Sequence, residues 1–251
     1  EKKKPDVILC SYPTSELAYQ CILYGKKFKI PVVLDIRDLW PDIYFKELLP
    51  KFLSKIFLNT YNLFYRRHIY VLKNASGLVG ITDRILGWGL NYAKRKKRSK
   101  DKVFYLSYEK PKNLRLSSIK IESFKKKFQL KKNVMYVCLI GTISKYKFNL
   151  VPIIDAAKYL MKNNINVEFL ICGKGERLRW LRKKSIDLNN INILGWLNAE
   201  EIYYILNNSH IGIAPYNNTF TYKTSIPSKI SEYLAYGLPI VSSLNGELRN
   251  F

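Results

Sequence analysis

Short apolar runs separated by longer amphipathic stretches organise the chain. In the first part the runs are Val7–Ser11, Pro31–Asp35, Gly77–Thr82 and Val103–Ser107. In the second they are Val134–Ile140, Val167–Cys172, Ile191–Leu194, Ile211–Ala214 and Pro239–Ser243. Apolar runs without strict alternation suit strands buried on both faces. Their alternation with helical stretches predicts an α/β fold with parallel sheets of βαβ units. Glu109–Asn133, between the two sets, is polar and rich in Lys. It predicts an amino-terminal domain over 1–110, a linker over 111–133 and a carboxyl-terminal domain over 134–251. Two such domains leave a cleft, and ligands sit at the carboxyl ends of parallel strands.

The segment PYNNTFTYKTSIPSKISEYLAYGLPIVSS, Pro215 to Ser243, concentrates the candidate chemistry. A strand end at Pro215-Tyr216 is followed by a polar stretch, expected to be a loop, and then by a helix. Ser225 is placed to cap that helix, and Pro227 is tolerated in its first turn. Ile230 and Leu234, four apart, share one face. Gly237 and Pro239 end the helix. The open amides of the Ser225–Lys229 helix start would attract a phosphate. Glu232 lies about two turns on, roughly 10 Å along the axis. A carboxylate there can accept two charge-assisted hydrogen bonds from vicinal ribose hydroxyls. The plain alternative is a solvated acid on an exposed face.

Other candidates also follow strands. Gly141 lets a backbone approach a ligand closely, with Thr142, Lys145 and Lys147 just beyond it. Fixed cations there would stabilise a departing diphosphate, unless they are only two of many surface lysines. Gly173-Lys174-Gly175 is either a binding loop or a tight strand-to-helix turn. Gly195-Trp196-Leu197 could lie against a nucleotide base through its backbone, with Trp196 expected to pack. It leads into Asn198-Ala199-Glu200-Glu201, a helix start. In the first part Asp35-Ile36-Arg37-Asp38 follows a buried strand, where clustered charges must pair or bind something. Arg37 could grip a phosphate or carboxylate, and Asp38 or Asp35 could orient an acceptor hydroxyl. An Arg–Asp structural pair is the competing reading. The chain contains no Asp-x-Asp and two His, so lysines and amides, with no metal, are expected to hold a donor.

Composition modifies this picture in a few respects. The chain has 251 residues, 47% hydrophobic, with 43 Lys+Arg against 19 Asp+Glu for a formal net charge of +24. That field favours polyanions, although the abundance of Lys, Asn, Ile and Tyr also fits codon bias. Cysteines at 10, 21, 138 and 172 form no C-x-x-C pair, which suits a reducing, cytoplasmic compartment. No apolar run reaches membrane-spanning length and no signal peptide is visible. Lys51–Lys73 and Ala93–Lys102 could rest on an anionic bilayer at the inner face of the plasma membrane, or be a packed helix and a solvated loop. The lack of an initiating Met and of a closing helix predicts a fragment, incomplete at both ends.

Across Val134–Leu248 the chain resembles the donor domain of the GT4 family of retaining glycosyltransferases, within the GT-B superfamily. The resemblance rests on a Gly with basic residues beyond it after the first strand, on Gly173-Lys174-Gly175-Glu176, on ILGWLNAEEI and IGIAPY, and above all on PSKISEYLAYGLPIV. DIRDLWPD at Asp35–Asp42 is similar to the subgroup that assembles O-antigen, capsule and exopolysaccharide. The resemblance implies a GT-B fold, two Rossmann-like domains facing a central cleft. It implies transfer of a sugar from a nucleotide-diphosphate-sugar, UDP-sugar first, to a lipid-linked or oligosaccharide acceptor. No cofactor beyond the donor substrate is expected. By the resemblance Glu232 binds ribose and Gly141 and Lys147 lie near the diphosphate. Lys147, Asp38 and Arg37 form the catalytic set; Gly141, Thr142, Lys145, Lys147, Gly173, Leu197, Tyr216, Thr224, Ser225, Ile226, Pro227, Lys229 and Glu232 form the donor set.

The chain departs from the family where an acid usually precedes the second by eight residues, since Thr224 stands there. The usual Phe-Gly is Ile226-Pro227, and Thr142 replaces a basic residue. A UDP-sugar 2-epimerase of the same fold is one alternative. A non-catalytic binder of a polyanion or membrane is the other; nucleic acid is not expected, because aromatic-rich RNA motifs are absent.

Overall fold

The computed structural model describes residues 3–49, 58–111 and 116–251. The chain folds as two compact units. The first comprises Glu1–Leu106, Thr219–Ile226 and Asn245–Phe251; the second comprises Ser107–Asn218 and Pro227–Leu244.

In the first unit β1 (Ile8–Tyr12), α1 (Ser15–Phe28), β2 (Val32–Ile36), a π-helical stretch (Ile43–Leu48), α2 (Leu58–Asn74), β3 (Gly77–Gly80), α3 (Asp83–Ala93) and β4 (Lys102–Val103) follow one another. The strands form one parallel sheet in the order β1-β2-β3-β4. Leu34 and Ile36 of β2 and Leu78 of β3 are buried with Leu72 of α2 and Ile85 of α3. The run expected over Val103–Ser107 pairs only at its start, and Phe104, Tyr105 and Leu106 are exposed. α3 starts where the Thr82 hydroxyl accepts the Ile85 amide, a side-chain N-cap.

Two buried polar groups shape this unit. Asp101 accepts both Arg95 guanidinium nitrogens, at 2.5 and 2.9 Å, and the amides of Leu78 and Arg98. Burial alone would raise its carboxyl; Arg95 and the amides outweigh that and hold it at about 2. Arg95 thereby leaves the cationic run of Ala93–Lys102, whose Lys94, Lys96, Lys97 and Lys100 remain exposed. Residues 51–57 of the other basic stretch, Lys51–Lys73, lie outside the described residues. Asp42, also buried, accepts from Trp88 Nε1 at 2.9 Å, from the Tyr92 hydroxyl at 2.7 Å and from the Tyr65 hydroxyl. Beside it His68 shares a hydrogen bond with the Tyr12 hydroxyl through Nδ1, while its Nε2 is buried without a partner among the described residues.

The second unit carries α4 (Ser118–Phe128), β5 (Met135–Ile140), α5 (Val151–Lys162), β6 (Val167–Cys172), α6 (Leu178–Lys184), β7 (Ile191–Gly195), α7 (Ala199–Asn207) and β8 (Ile211–Ala214). After α8 (Phe220–Thr224) come α9 (Ser228–Ala235), β9 (Ile240–Ser242) and α10 (Glu247–Asn250). The sheet is parallel in the order β7-β6-β5-β8-β9. α7 begins with a capping box between Asn198 and Glu201, as its sequence predicts. The expected linker over 111–133 instead contains α4. Its apolar residues Ile121, Phe124 and Phe128 fall on one face and pack toward Tyr204, beneath a Lys-rich surface that hides the pattern.

Residues 219–226 and 245–251, expected within the carboxyl-terminal domain, pack with the first unit. Glu47 accepts both the Thr221 amide at 2.7 Å and its hydroxyl at 2.8 Å. The Thr82 hydroxyl donates to the Thr224 carbonyl at 2.6 Å, and Arg84 pairs with Glu247 at 2.9 Å. The polar stretch before α9 is therefore partly helical, as α8, with Thr219 as its side-chain cap.

Burial lowers the His68 pKa to about 4, against a smaller opposing pull from Asp42. The unfolded chain takes up this proton first, near its ordinary value. The neutral ring's contribution is therefore intact above about 6.5 and is lost as pH falls toward 4, by up to roughly 3 kcal/mol. Urea midpoints across pH 7 to 4.5 should fall for the natural chain and fall less for His68→Gln. Parallel pH slopes for the two would contradict this assignment.

Candidate active site

The candidate site is built on the carboxyl ends of β5, β6 and β7. Beyond those ends the backbones continue to bond one another. The Gly141 amide donates to the Cys172 carbonyl at 2.9 Å, Gly173 to Gly195 at 2.6 Å and Ile143 to Lys174 at 2.8 Å. Gly173 has φ +146°, and a Cβ there would fall 1.8 Å from the Gly141 carbonyl oxygen. Gly175, at φ +156°, would likewise meet the Ile143 carbonyl at 2.2 Å. Glycine is thus required to knit these loops, and Gly173-Lys174-Gly175 is a tight turn that also lines a cavity. The cavity has a volume of about 420 Å³ and is bordered by Gly141, Thr142, Gly173, Trp196, Leu197 and Lys229.

Lys147 is presented by the loop after β5. Ser144 Oγ accepts the Lys147 amide at 3.1 Å, which turns the chain back. Phe148 and Tyr216 meet edge to face at 4.9 Å, and Lys147 Nζ lies 5.2 and 5.7 Å from their ring centroids. Tyr216 is buried, so its part in the site is to wall the lysine. Nζ also lies beside Gly141, 3.6 Å from where a Cβ there would stand. Burial, and then the Lys229 charge, lower the Lys147 pKa. Lys145 is exposed; its amide donates to Glu176 at 2.6 Å and its carbonyl accepts from Asn217 at 2.6 Å.

α9 brings Lys229 and Glu232 together. It starts at Ser228 after Pro227, which occupies the cap position without a side-chain bond. The expected Ser225 cap is not formed: its hydroxyl donates back to the Thr221 carbonyl at 3.0 Å, where α8 offers an open acceptor. Thr224 does the same toward Phe220 and Thr221, at 3.0 Å each. Thr224, Ser225 and Ile226 lie in the first unit, Pro227, Lys229 and Glu232 in the second. Ile230 is buried while Leu234 is 49% exposed, so the expected shared apolar face narrows to Ile230 and Tyr233. Glu232 is buried and paired with Lys229 Nζ. Lys229 borders the cavity, whose lining does not include Glu232.

A further side chain lies near this acid, from outside every predicted motif. Burial, and then the nearby Glu232 charge, raise the Tyr108 pKa, and its ring centroid lies 6.3 Å from that of Tyr236. Tyr108 lies in an irregular stretch with no hydrophobic period, and no local signal announces it. Trp196, expected to pack, is 63% exposed at the cavity rim, with Lys174 Nζ 5.4 Å from its ring centroid. Leu197 takes the buried place beside it.

In the first unit Arg37 Nε pairs with Asp35 Oδ2 at 2.7 Å. Asp38 accepts its neighbouring Leu39 amide at 2.9 Å. Burial raises the Asp38 carboxyl above its usual range, the Leu39 amide opposes this, and Glu47 adds to it. Among the described residues no group of three or more His, Cys, Asp or Glu could hold a metal ion. No described helix is long and apolar enough to cross a membrane.

Two parallel-sheet α/β units of this kind define a GT-B fold. The family model described as glycosyl transferases group 1 matches residues 120–250. The chain belongs to that family. Its fold is similar to a structure of Anabaena HepE in complex with UDP, at 15% identity and TM-score 0.67, over 97% of this chain and 62% of that one. It is also similar to WaaG, a glycosyltransferase involved in lipopolysaccharide biosynthesis, at 14% identity and TM-score 0.61, over 100% of this chain and 72% of that one. The trehalose-6-phosphate synthase OtsA aligns at 13% identity and TM-score 0.63, over 95% of this chain and 57% of that one. The chain thus spans under two thirds of the length of HepE and OtsA. No curated protein sequence matches it.

Gly173→Ala should cost about 2–4 kcal/mol, because it adds left-handed backbone strain to a clash with the Gly141 carbonyl. Guanidinium denaturation measures this. Stability within about 0.5 kcal/mol of the natural chain, the range of an ordinary surface change, would show that the loops are not knit this way.

Proposed function

We propose that the chain is the catalytic part of a retaining, GT4-type glycosyltransferase. It transfers a sugar from a nucleotide-diphosphate-sugar, UDP-sugar first among them, to a lipid-linked glycan in cell-surface polysaccharide synthesis. One observation carries the reading: Lys229, paired with a buried acid, borders a glycine-walled cavity, and Lys147 Nζ lies beside Gly141 of the same wall.

Glu232 accepts the ribose hydroxyls and Leu197 lies against the base. Gly141 and Gly173 let the diphosphate approach the backbone. As the bond from the anomeric carbon to the phosphate oxygen breaks, negative charge grows on the diphosphate. Fixed cations stabilise that charge more than the ground state, which is what accelerates the step. The acceptor oxygen bonds to the anomeric carbon from the same face, and its proton passes to the departing phosphate. Asp38, with one oxygen on the Leu39 amide and the other available to a hydroxyl, and Arg37 serve the acceptor. Retention and acceptor class rest on the family resemblance. Peripheral contact with an anionic membrane is supported by the exposed Lys94, Lys96, Lys97 and Lys100.

The full chain incubated with UDP-sugars and an oligosaccharide or lipid-linked acceptor should form a glycoside only when acceptor is present. Conversion of the donor to its 2-epimer without acceptor would replace this reading with an epimerase. Lys147→Ala should lower turnover more than donor affinity, by roughly tenfold or more if one charged contact is made mainly in the transition state. Equal losses in both would assign Lys147 to ground-state binding. Glu232→Ala should weaken UDP binding by at least tenfold, since hydrogen bonds to charged groups contribute about 1.5–3 kcal/mol. Unchanged calorimetric affinity would remove Glu232 from the site.

A further inference from the structure

Of the four tryptophans, all among the described residues, Trp196 is the exposed one, at 63%. The backbone on either side of it is fixed. Gly195, at φ +74°, accepts the Gly173 amide at 2.6 Å and turns the chain out of β7. Asn198 opens α7 through its capping box with Glu201, and Leu197 between them is buried. Trp196 is thus carried on a short span held at both ends. A lone aromatic left in solvent is ordinary on a protein surface. Trp196 instead lines the same cavity as Leu197, Gly173 and Lys229, and Lys174 Nζ lies over its ring, 5.4 Å from the centroid.

The lining of that cavity is divided by chemistry. Trp196, Leu197 and Ile202, close in sequence around the turn from β7 into α7, supply an apolar part. Lys229 and the glycine loops after β5 and β6 supply a polar one. A nucleotide is divided in the same way, with a flat aromatic base at one end and phosphates at the other. Backbone groups can hydrogen-bond the edge of a base, but its faces need a flat partner. Among the described residues that line the cavity, the Trp196 indole is the one aromatic ring. Lys174 takes one face of that ring by cation–π attraction, which leaves the other for a ligand.

We propose that Trp196 is the platform on which the base of the donor nucleotide stacks, with Lys174 bracing the indole from its other face. This rests on the reading of the cavity as a nucleotide-sugar site. Stacking of this kind tolerates any base, so it supplies affinity more than choice.

The test is calorimetric titration of the full chain, Trp196→Ala and Trp196→Phe with UDP and with ribose 5-diphosphate, which keeps the ribose and diphosphate and has no base. Unchanged melting temperatures check that this exposed position tolerates both substitutions. The natural chain should prefer UDP to ribose 5-diphosphate by roughly tenfold or more, since stacking and edge contacts both act on the base. Trp196→Ala should lose about fivefold or more for UDP, the low end for one stacked base, and stay within about twofold for ribose 5-diphosphate. Trp196→Phe, which keeps a ring, should lose less. Saturating UDP should quench the tryptophan emission of the natural chain and quench Trp196→Phe less; equal quenching in the two overturns the stacking role. Equal losses for both probes in Trp196→Ala also overturn it, as a merely structural effect. An undiminished preference in Trp196→Ala, or no preference in the natural chain, overturns it and leaves the nucleotide-sugar reading standing. No binding of UDP by the natural chain overturns that reading and this proposal together.

Discussion

Two lysines at one glycine-walled cavity, Lys229 on its lining and Lys147 against Gly141, set an electrostatic constraint on the second unit. Burial and the neighbouring Lys229 both act against the charged form of Lys147. Glu232 answers Lys229, whereas among the described residues the Lys147 ammonium meets the faces of Phe148 and Tyr216, a weak partner for it. A dianionic diphosphate would satisfy both lysines at once. On the proposed reading the folded chain is preorganised for that ligand charge, the arrangement that makes electrostatic stabilisation of a leaving group effective.

The strand ends impose this geometry. Because β5, β6 and β7 are parallel and adjacent, their exits lie side by side, and glycines let the exiting loops continue to hydrogen-bond without side chains between them. That clears the floor of the cavity. It also fixes where the loop after Gly141 can turn, and so where Lys147 arrives. α9 completes the site from the far side of β5, through β8, with Tyr233 buried in the core and its hydroxyl on the Ile140 amide at 3.0 Å.

Much of this was legible in the sequence, for physical reasons that differ by residue. The nine described strands announce themselves as apolar runs, although the edge strands β1 and β9 leave Leu9 and Val241 exposed, and each lies within two residues of its predicted place except the truncated β4. Gly141, Gly173, Lys147, Lys229 and Glu232 are recognisable because they fall just beyond strand ends or within one short helix, where local spacing decides position. The match to the glycosyl transferases group 1 model, over residues 120–250, bears out the family reading of that half. Ser225 misled because a hydroxyl can accept from a helix amide or donate to a nearby carbonyl, and only the fold decides that it donates to Thr221. α4 was hidden by lysines on its solvent face. Trp196 was misjudged because a large aromatic is buried on average, and its exposure here depends on a cavity edge invisible to composition. Tyr108 could not be found at all. The Tyr236 ring it packs against is more than a hundred residues away in sequence, and its own neighbourhood carries no period.

The central claim, that Lys147 and Lys229 are a receptor for a diphosphate, is tested most directly by a crystal structure of the chain with UDP bound. Both phosphates should lie over Gly141 and Gly173, with oxygens about 3 Å from Lys147 Nζ and Lys229 Nζ, the reach of a charge-assisted hydrogen bond. Density for the nucleotide elsewhere, with both ammonium groups untouched and the cavity empty, would contradict it.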